Sequence, residues 1–275
     1  MAKALFPDDI PNWSGWNSKH DKDVNPKQVV GYLKPIQLPP TRTDVVKETM
    51  NRSQKVAAEC GDDYALVTYD LAIAKIAKQI QDAERPLFDN VFIMFGSFHT
   101  EMSFFGSVGR LIEGSGGPFV MTETEVIAPG SMIKFLKGKM YNRCRRAHIL
   151  FSAAMHGLHF QRFLTDEGLD EVTQMNLKKW ALSEDNSDIP DDLQELVRKY
   201  EMYCEDTLSG ALGKTAQFWM IYCNLMDSYL LFHHAVKTNV VDLFAYALHD
   251  ISKIFFTTNH QNYARWICTG SVECK

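Results

Sequence analysis

The chain has 275 residues, of which 45% are hydrophobic and 12% aromatic, and its formal net charge is -5. This composition suits one large domain or two small ones, and it excludes an intrinsically disordered chain because the apolar content is high and the net charge low. A globally basic nucleic-acid-binding protein is also excluded, although a local basic patch is compatible with this charge.

The N-terminus and the cysteines bear on the compartment. No apolar run of about seven residues opens the chain, which argues against a secretory signal. The longest apolar stretch, residues 218–235, is interrupted by polar side chains, so no membrane span of about 20 apolar residues is expected. The cysteines form no Cys-x-x-Cys motif, and we expect reduced thiols. The sequence therefore predicts an intracellular protein of the nucleus or cytoplasm that is neither secreted nor bound in a membrane.

The hydropathy pattern of the first quarter of the chain predicts an irregular arm followed by the start of a small sheet. Residues 1–25 lack apolar periodicity, whereas the short apolar run at 28–34 is interpreted as an edge strand. Residues 41–44 supply N-cap candidates for a helix that ends near Gly61.

Two unbroken apolar runs, at 64–69 and 90–95, predict buried strands. The helical spacing of residues 71–80 between them predicts a crossover helix, so the three elements form a parallel βαβ unit.

Helical patterns then fill the rest of the chain. They cover residues 99–112, 123–136, 142–164, 169–182, 191–208, 215–237 and 241–256. The predicted fold class is α/β with a small, partly parallel sheet followed by a predominantly helical region. We divide the chain into an irregular N-terminal arm at 1–25, a small α/β core at 26–117, and a helical region at 118–275 that packs on it.

A carboxylate and an imidazole follow the two predicted strands. Asp70 comes directly after the first strand, and His99 follows the second. Because neighbouring parallel strands end at one edge of a sheet, both side chains are expected there. Asp70 is a candidate ligand for Mg²⁺ or Mn²⁺, and His99 is a candidate second ligand or acid–base partner. The alternative is that Asp70 caps the following helix and His99 is its structural partner.

Other histidines fall on predicted helices. His156 and His159 are three residues apart and share a helix face, and His233 and His234 are adjacent. Because no cysteine or carboxylate stands beside them at zinc-site spacing, we interpret them as locally hydrogen-bonded side chains.

One basic segment stands out in an otherwise acidic chain. Six lysines and arginines lie within 13 residues, with Phe135 and Tyr141 interleaved. This arrangement is typical of a surface that follows a phosphate backbone. The alternatives are a solvated helix face or a partner for the acidic stretch at 184–188. We call this segment the basic cluster, and its members are Lys134, Lys137, Lys139, Arg143, Arg145 and Arg146.

The order of several short motifs resembles that of a family of transposon-associated open reading frames of animal genomes. The similarity extends over most of residues 10–268. The motifs are Trp13-Ser-Gly-Trp16, Val67-Thr-Tyr-Asp70, the segment 95–104 around His99, the segment 109–116, and Asn262-Tyr-Ala-Arg-Trp266.

The resemblance implies an RNase H-like core of the transposase and integrase kind, in which acidic residues hold two metal ions. It makes Asp70 a metal-binding acid, His99 a residue of the same site, and Asp242 a later carboxylate. The sequence departs from the family pattern in two respects. Asp70 is followed by a helix and a strand, which is typical of a later strand of such a fold and not of the first. An upstream Asp-Asn motif of longer members is also missing. We therefore expect an incomplete gene or a remnant copy that lacks one catalytic acid.

Two functions follow from these patterns. The first is a transposon-derived, RNase H-like protein with vestigial metal-dependent nucleic-acid chemistry, which is inactive as an isolated chain. The alternative is a catalytically silent binding or scaffold protein. If the basic cluster binds a partner, the expected partner is nucleic acid. The residues predicted to contact it are Lys137, Lys139, Arg143, Arg145 and Arg146. The sequence contains no indication of an oligomeric state.

Overall fold

The computed structural model describes residues 29–183, 189–258 and 263–264. The predicted N-terminal arm, the acidic stretch at 184–188, and Asn262, Arg265 and Trp266 of the last motif lie outside the described residues.

The predicted βαβ unit is confirmed. Helix α1 (Thr43–Cys60) precedes strand β1 (Ala65–Tyr69), helix α2 (Leu71–Ala83) and strand β2 (Val91–Phe95). The two strands are parallel, with Ala65 opposite Val91 and Tyr69 opposite Phe95.

The predicted edge strand at 28–34 is wrong for its described part. Residues 29–34 form no strand, and the side chains of Val29 and Tyr32 are almost fully exposed. The run contains Gly31 and stops at Pro35, and it buries too little apolar surface to offset the entropy of ordering a strand.

Among the described residues, helices cover one face of the sheet. A hydrophobic cluster joins the inward-facing strand residues to α1 and α2 through Val46, Met50, Ala65, Val67, Ala77, Ile80, Phe88 and Val91. On the opposite face Leu66 is 66% exposed and Phe92 is 47% exposed. This is unusual because parallel strands are ordinarily covered on both faces.

The remaining described residues are predominantly helical. The helices are α3 (Ser97–Ile112), α4 (Gly117–Glu123), α5 (Met132–Leu136), α6 (Tyr141–Glu167), α7 (Glu171–Ala181), α8 (Asp191–Ser209), α9 (Lys214–Thr238) and α10 (Val241–Thr257). The fold is thus mostly helical with a small parallel sheet, as the sequence predicts.

One predicted helix is wrong. The pattern at 123–136 predicts a single helix, but α4 ends at Glu123 and α5 begins only at Met132. Glu125 has a positive φ of 57°, and Pro129 opens a short 3₁₀ turn. A proline has no backbone N–H to donate, and a left-handed residue breaks the helical path.

The main hydrophobic cluster lies among α3, α6, α9 and α10. Phe104, Phe105, Tyr222, Tyr229 and Phe255 are fully buried in it. A smaller cluster joins the end of α6 to α7 and α8 through Phe160, Phe163, Leu177, Leu193 and Leu196. Helix α3, which precedes the predicted boundary at residue 117, contributes to the main helical cluster. Within the described residues, no helix is both long enough and apolar enough to cross a membrane.

Candidate functional site

Asp70 lies where β1 ends and α2 begins. Its carboxylate oxygen Oδ1 accepts a hydrogen bond of 2.8 Å from the backbone N–H of Ile73, so it is the N-cap of α2. The capping role predicted as the alternative is therefore confirmed. An N-cap carboxylate satisfies an otherwise unpaired helix amide, and its charge is favourable at the positive end of the helix dipole.

His99 stands at the same edge of the sheet. Because Tyr69 and Phe95 pair in parallel register, Asp70 and the first turn of α3 both follow the carboxyl ends of the strands. The imidazole of His99 is exposed, and its ring lies edge-on to Phe98 with 5.5 Å between the centroids. The described contacts include no hydrogen bond or ion pair between Asp70 and His99.

The last sequence motif also reaches this edge. Burial raises the pKa of the Tyr263 hydroxyl, a hydrogen bond with Ser103 lowers it, and the negative charge of Asp70 raises it further. Tyr263 therefore lies near both α3 and the start of α2. The ring of Tyr263 also packs against Phe255 of α10, at a centroid distance of 5.5 Å. We call Asp70, His99, Ser103 and Tyr263 the strand-end site.

Asp242, the later carboxylate that the resemblance implies, lies on a different helix from Asp70 and His99. It is an exposed residue in the first turn of α10. Within the described residues, no group of three or more His, Cys, Asp or Glu side chains is arranged to hold a metal ion.

The basic cluster spans the junction of α5 and α6. Lys134, Lys137, Lys139, Arg143 and Arg146 are exposed, and Arg145 is half-buried. Among the described residues, none of the six forms an ion pair.

Several arginines elsewhere do pair with carboxylates, and Arg52 and Arg198 bind carboxylates of their own helices at 2.7 Å and 2.6 Å. Arg143 instead donates to the hydroxyl of Ser131 at 3.1 Å. The basic cluster therefore keeps its positive charge uncompensated within the described part of the chain.

Two glycines hold this basic surface against α3. A methyl group on Gly109 would stand 2.0 Å from the carbonyl oxygen of Leu136, and one on Gly138 would stand 2.3 Å from the carbonyl oxygen of Met102. Gly138 also has a left-handed φ of 68°. Only glycine permits both the close backbone approach and this conformation, so the loop between α5 and α6 lies directly on α3.

A shallow depression of about 420 Å³ adjoins the basic cluster and the first turn of α3. Its lining residues are Phe98, Met140, Tyr141, Asn142 and Arg143. The rings of Phe98 and Tyr141 meet edge-on with 4.9 Å between their centroids, and Phe98 is 49% exposed. We call this feature the aromatic depression.

A buried carboxylate behind the depression is a feature that the sequence analysis missed. Glu101 of α3 is only 3% exposed and accepts hydrogen bonds from the hydroxyls of Tyr141 and Tyr229, the latter at 2.9 Å. Nδ1 of His233 lies 3.3 Å from the other carboxylate oxygen. The available signal was an acidic residue at a core-facing position of an otherwise apolar helix face.

The buried cluster has a defined electrostatic state. Burial raises the pKa of Glu101, but hydrogen bonds from His233 and Tyr141 and the charge of His233 lower it more, and the net shift is downward. Burial, together with the hydrogen bond to Glu101 and its charge, raises the pKa of Tyr141 to about 12. Glu101 is therefore an ionised acceptor, and Tyr141 is a neutral donor at neutral pH.

Two of the other predicted histidines have hydrogen-bond partners. His156 pairs with Asp227 at 3.1 Å, and His159 contacts the hydroxyls of Tyr200 and Thr207. Both imidazoles therefore have hydrogen-bond partners, as expected, but these partners lie on α8 and α9 and not nearby in the sequence.

The sequence matches a domain of unknown function, DUF8702, over residues 12–269. The chain belongs to this family. No curated protein and no solved structure matches it. The DUF8702 region includes the strand-end site, the aromatic depression, the basic cluster and Tyr263, so all of these features lie within the domain that defines the family.

Proposed function

We propose that this DUF8702 protein is a catalytically silent binding protein whose basic cluster binds nucleic acid. The observation that carries the proposal is the absence of ion pairs in the basic cluster among the described residues, in a chain with a net charge of -5. The alternative of a solvated helix face predicts no salt-dependent binding of an oligonucleotide, so the test below separates it from the proposal. The acidic stretch at 184–188 lies outside the described residues.

The physical basis of binding is the release of counterions. A phosphate backbone condenses cations, and each phosphate that a lysine or arginine neutralises releases part of this atmosphere. Lys137, Lys139, Arg143 and Arg146 are exposed, so a phosphate oxygen can reach them without a rearrangement of the core. Arg145 is half-buried beside Tyr141, and it raises the local potential without being the first contact.

The test is fluorescence anisotropy of a labelled oligonucleotide over a range of salt concentrations. The variant replaces Lys137, Lys139, Arg143 and Arg146 with glutamine. We expect weaker binding, and a slope of log K against log[salt] that is smaller by about 3 than that of the wild type, because each lost phosphate contact removes about 0.7–0.9.

The matched control also removes four positive charges, but from residues outside the basic cluster that pair with carboxylates. These are Arg52, Arg85, Arg198 and Lys199, each replaced with glutamine. It should bind nearly as the wild type does. Absent or salt-insensitive binding by the wild type would overturn the proposal, as would equal losses in the two variants.

A second candidate is the RNase H-like, transposon-derived chemistry implied by the sequence resemblance. It is supported by the position of Asp70 and His99, which both follow the carboxyl ends of paired parallel strands. The described donors do not fit a two-metal site, since the strand-end site offers one carboxylate, which already caps α2, and one imidazole. For this reason we place binding first.

Asp70→Asn separates the two candidates because asparagine also caps helices well. We expect Mg²⁺ and Mn²⁺ to change neither the melting temperature nor the integrity of a supercoiled plasmid, in wild type and variant alike. A saturable metal-dependent stabilisation or cleavage that the variant loses would favour the RNase H-like candidate over silent binding.

A further inference from the structure

We infer that the aromatic depression holds an unpaired nucleobase, so that the nucleic acid bound by the basic cluster is single-stranded. This inference rests on the proposed nucleic-acid binding and adds the class of ligand to it.

The first step is the exposure of an aromatic ring beside positive charge. Phe98 leaves half of its surface exposed in the first turn of α3, and it lines the aromatic depression with Tyr141 and Arg143. Nucleobases stack on such rings whatever their sequence, because every base has a π-face. Arg143 belongs both to the depression and to the basic cluster, so a base at Phe98 leaves its phosphate close to the exposed cations.

The second step is the polarity of the walls. Asn142 and Arg143 place an amide and a guanidinium beside the rings, and both residues are exposed. These groups supply hydrogen-bond donors, and the amide also supplies an acceptor, for the edge of a base. The mixture differs from that of an aliphatic groove, which would favour an apolar peptide face.

The third step is rigidity. Tyr141 is fixed by its hydrogen bond to the buried Glu101, and Gly138 holds the preceding loop on the backbone of α3. A preorganised aromatic wall loses little conformational entropy when it binds a ligand. A duplex cannot use this wall because its bases are already stacked and paired, whereas a single strand can turn a base outward.

The experiment compares three ligands with the same number of phosphates by anisotropy at one moderate salt concentration: oligo(dT), an abasic oligomer, and a duplex. The wild type should bind oligo(dT) about 5-fold or more tighter than the abasic oligomer, which is the lower end of the effect of one base–aromatic stack. Phe98→Ala should remove this difference and leave the affinity for the abasic oligomer unchanged.

The control variant is Phe92→Ala. Phe92 is 47% exposed and pairs with the Tyr64 ring at 5.5 Å, but it lies on the open face of the sheet and not in the aromatic depression. It should retain the preference for oligo(dT). Circular dichroism of both variants checks that each is folded.

The outcomes separate this inference from the proposed function. Equal, salt-dependent binding of all three ligands by the wild type would overturn the base site and leave nucleic-acid binding standing. Tighter binding of the duplex, or a preference for oligo(dT) that survives in Phe98→Ala, would also overturn the base site. Failure to bind any of the three would overturn the proposed function itself, and a partner of another class, such as an acidic peptide, would then remain.

Discussion

The strand layer and the helical layer of this protein are stabilised in different ways. In the strand layer, α1 and α2 cover one face of two short strands, and the opposite face leaves Leu66 and Phe92 open. In the helical layer, α9 packs against α3, α6, α8 and α10. The core of this layer contains hydrogen-bonded Glu101, Tyr229 and His148 beside the apolar side chains.

The strand layer thus joins elements that lie between Val46 and Val91, whereas the helical layer joins residues much farther apart in sequence, such as Glu101 and Tyr229. The strand-end site uses groups from both layers, while the basic cluster and the aromatic depression lie on the helical layer. Three predictions test this contrast, from the largest expected effect to the smallest.

The largest effect is expected for Glu101→Ala. The substitution leaves the hydroxyl of Tyr229 and the imidazole of His233 buried without their acceptor, which costs about 3–5 kcal/mol of the free energy of unfolding. Urea unfolding followed by circular dichroism measures the change. Should this variant fail to fold, Glu101→Gln keeps the shape and one acceptor oxygen and is expected to lose about 1–3 kcal/mol.

The matched control is Glu113→Ala, in the exposed residue that follows the same helix. Its expected effect is within about 0.5 kcal/mol. If Glu101→Ala were as mild as this control, the buried network would not stabilise the helical layer.

The second prediction concerns the loss of stability at low pH. His148 is fully buried between the rings of Phe105 and Phe135, and desolvation lowers its pKa from 6.5 to about 3. Between these two values the unfolded chain binds a proton that the folded chain does not. The contribution of His148 to the free energy of unfolding is therefore fully present above pH 6.5. It decreases as the pH falls towards 3, by about 1.4 kcal/mol per pH unit.

Urea unfolding at pH 7 and pH 5 should thus show a loss of about 2 kcal/mol from this group. His148→Gln removes the titration and should show a smaller loss over the same interval, whatever its stability at pH 7. Equal losses in the wild type and the variant would mean that His148 is solvated or protonated in the folded protein.

The smallest effect is expected on the open face of the sheet. Leu66→Ser should change the free energy of unfolding by less than about 0.5 kcal/mol, because the side chain is 66% exposed. Its neighbour in β1, Val67→Ala, should cost about 2 kcal/mol because Val67 is buried in the strand layer. If the two substitutions cost the same in thermal and urea unfolding, the face of Leu66 is covered in solution and the contrast between the layers fails.

Much of the fold could be predicted from the sequence. The strands β1 and β2, their parallel order and most helices follow from apolar periodicity, because each is a local pattern that ends at glycine, proline or an acidic break. The errors came where a local pattern had no tertiary support, as at residues 29–34, or was broken by backbone chemistry, as at Glu125 and Pro129.

The candidate site was only partly accessible to such reasoning. Asp70 and His99 were placed at one edge of the sheet because parallel strands require it, and the basic cluster was visible as a run of charge. Phe98 and Tyr141 are separated by more than 40 residues, so no local pattern brings their rings together. The same holds for Glu101 and His233, whose contact joins α3 to α9.

By itself, the sequence determined the element order, the apolar helix faces and the position of the basic cluster, since these depend on neighbours within a few residues. The tertiary structure alone decided that Glu101 is a buried acceptor of hydrogen bonds from Tyr141 and Tyr229 on two other helices. It also decided that the basic cluster meets an aromatic depression. Each of these depends on desolvation and on distances between separate elements, and periodicity in the chain carries no information about either.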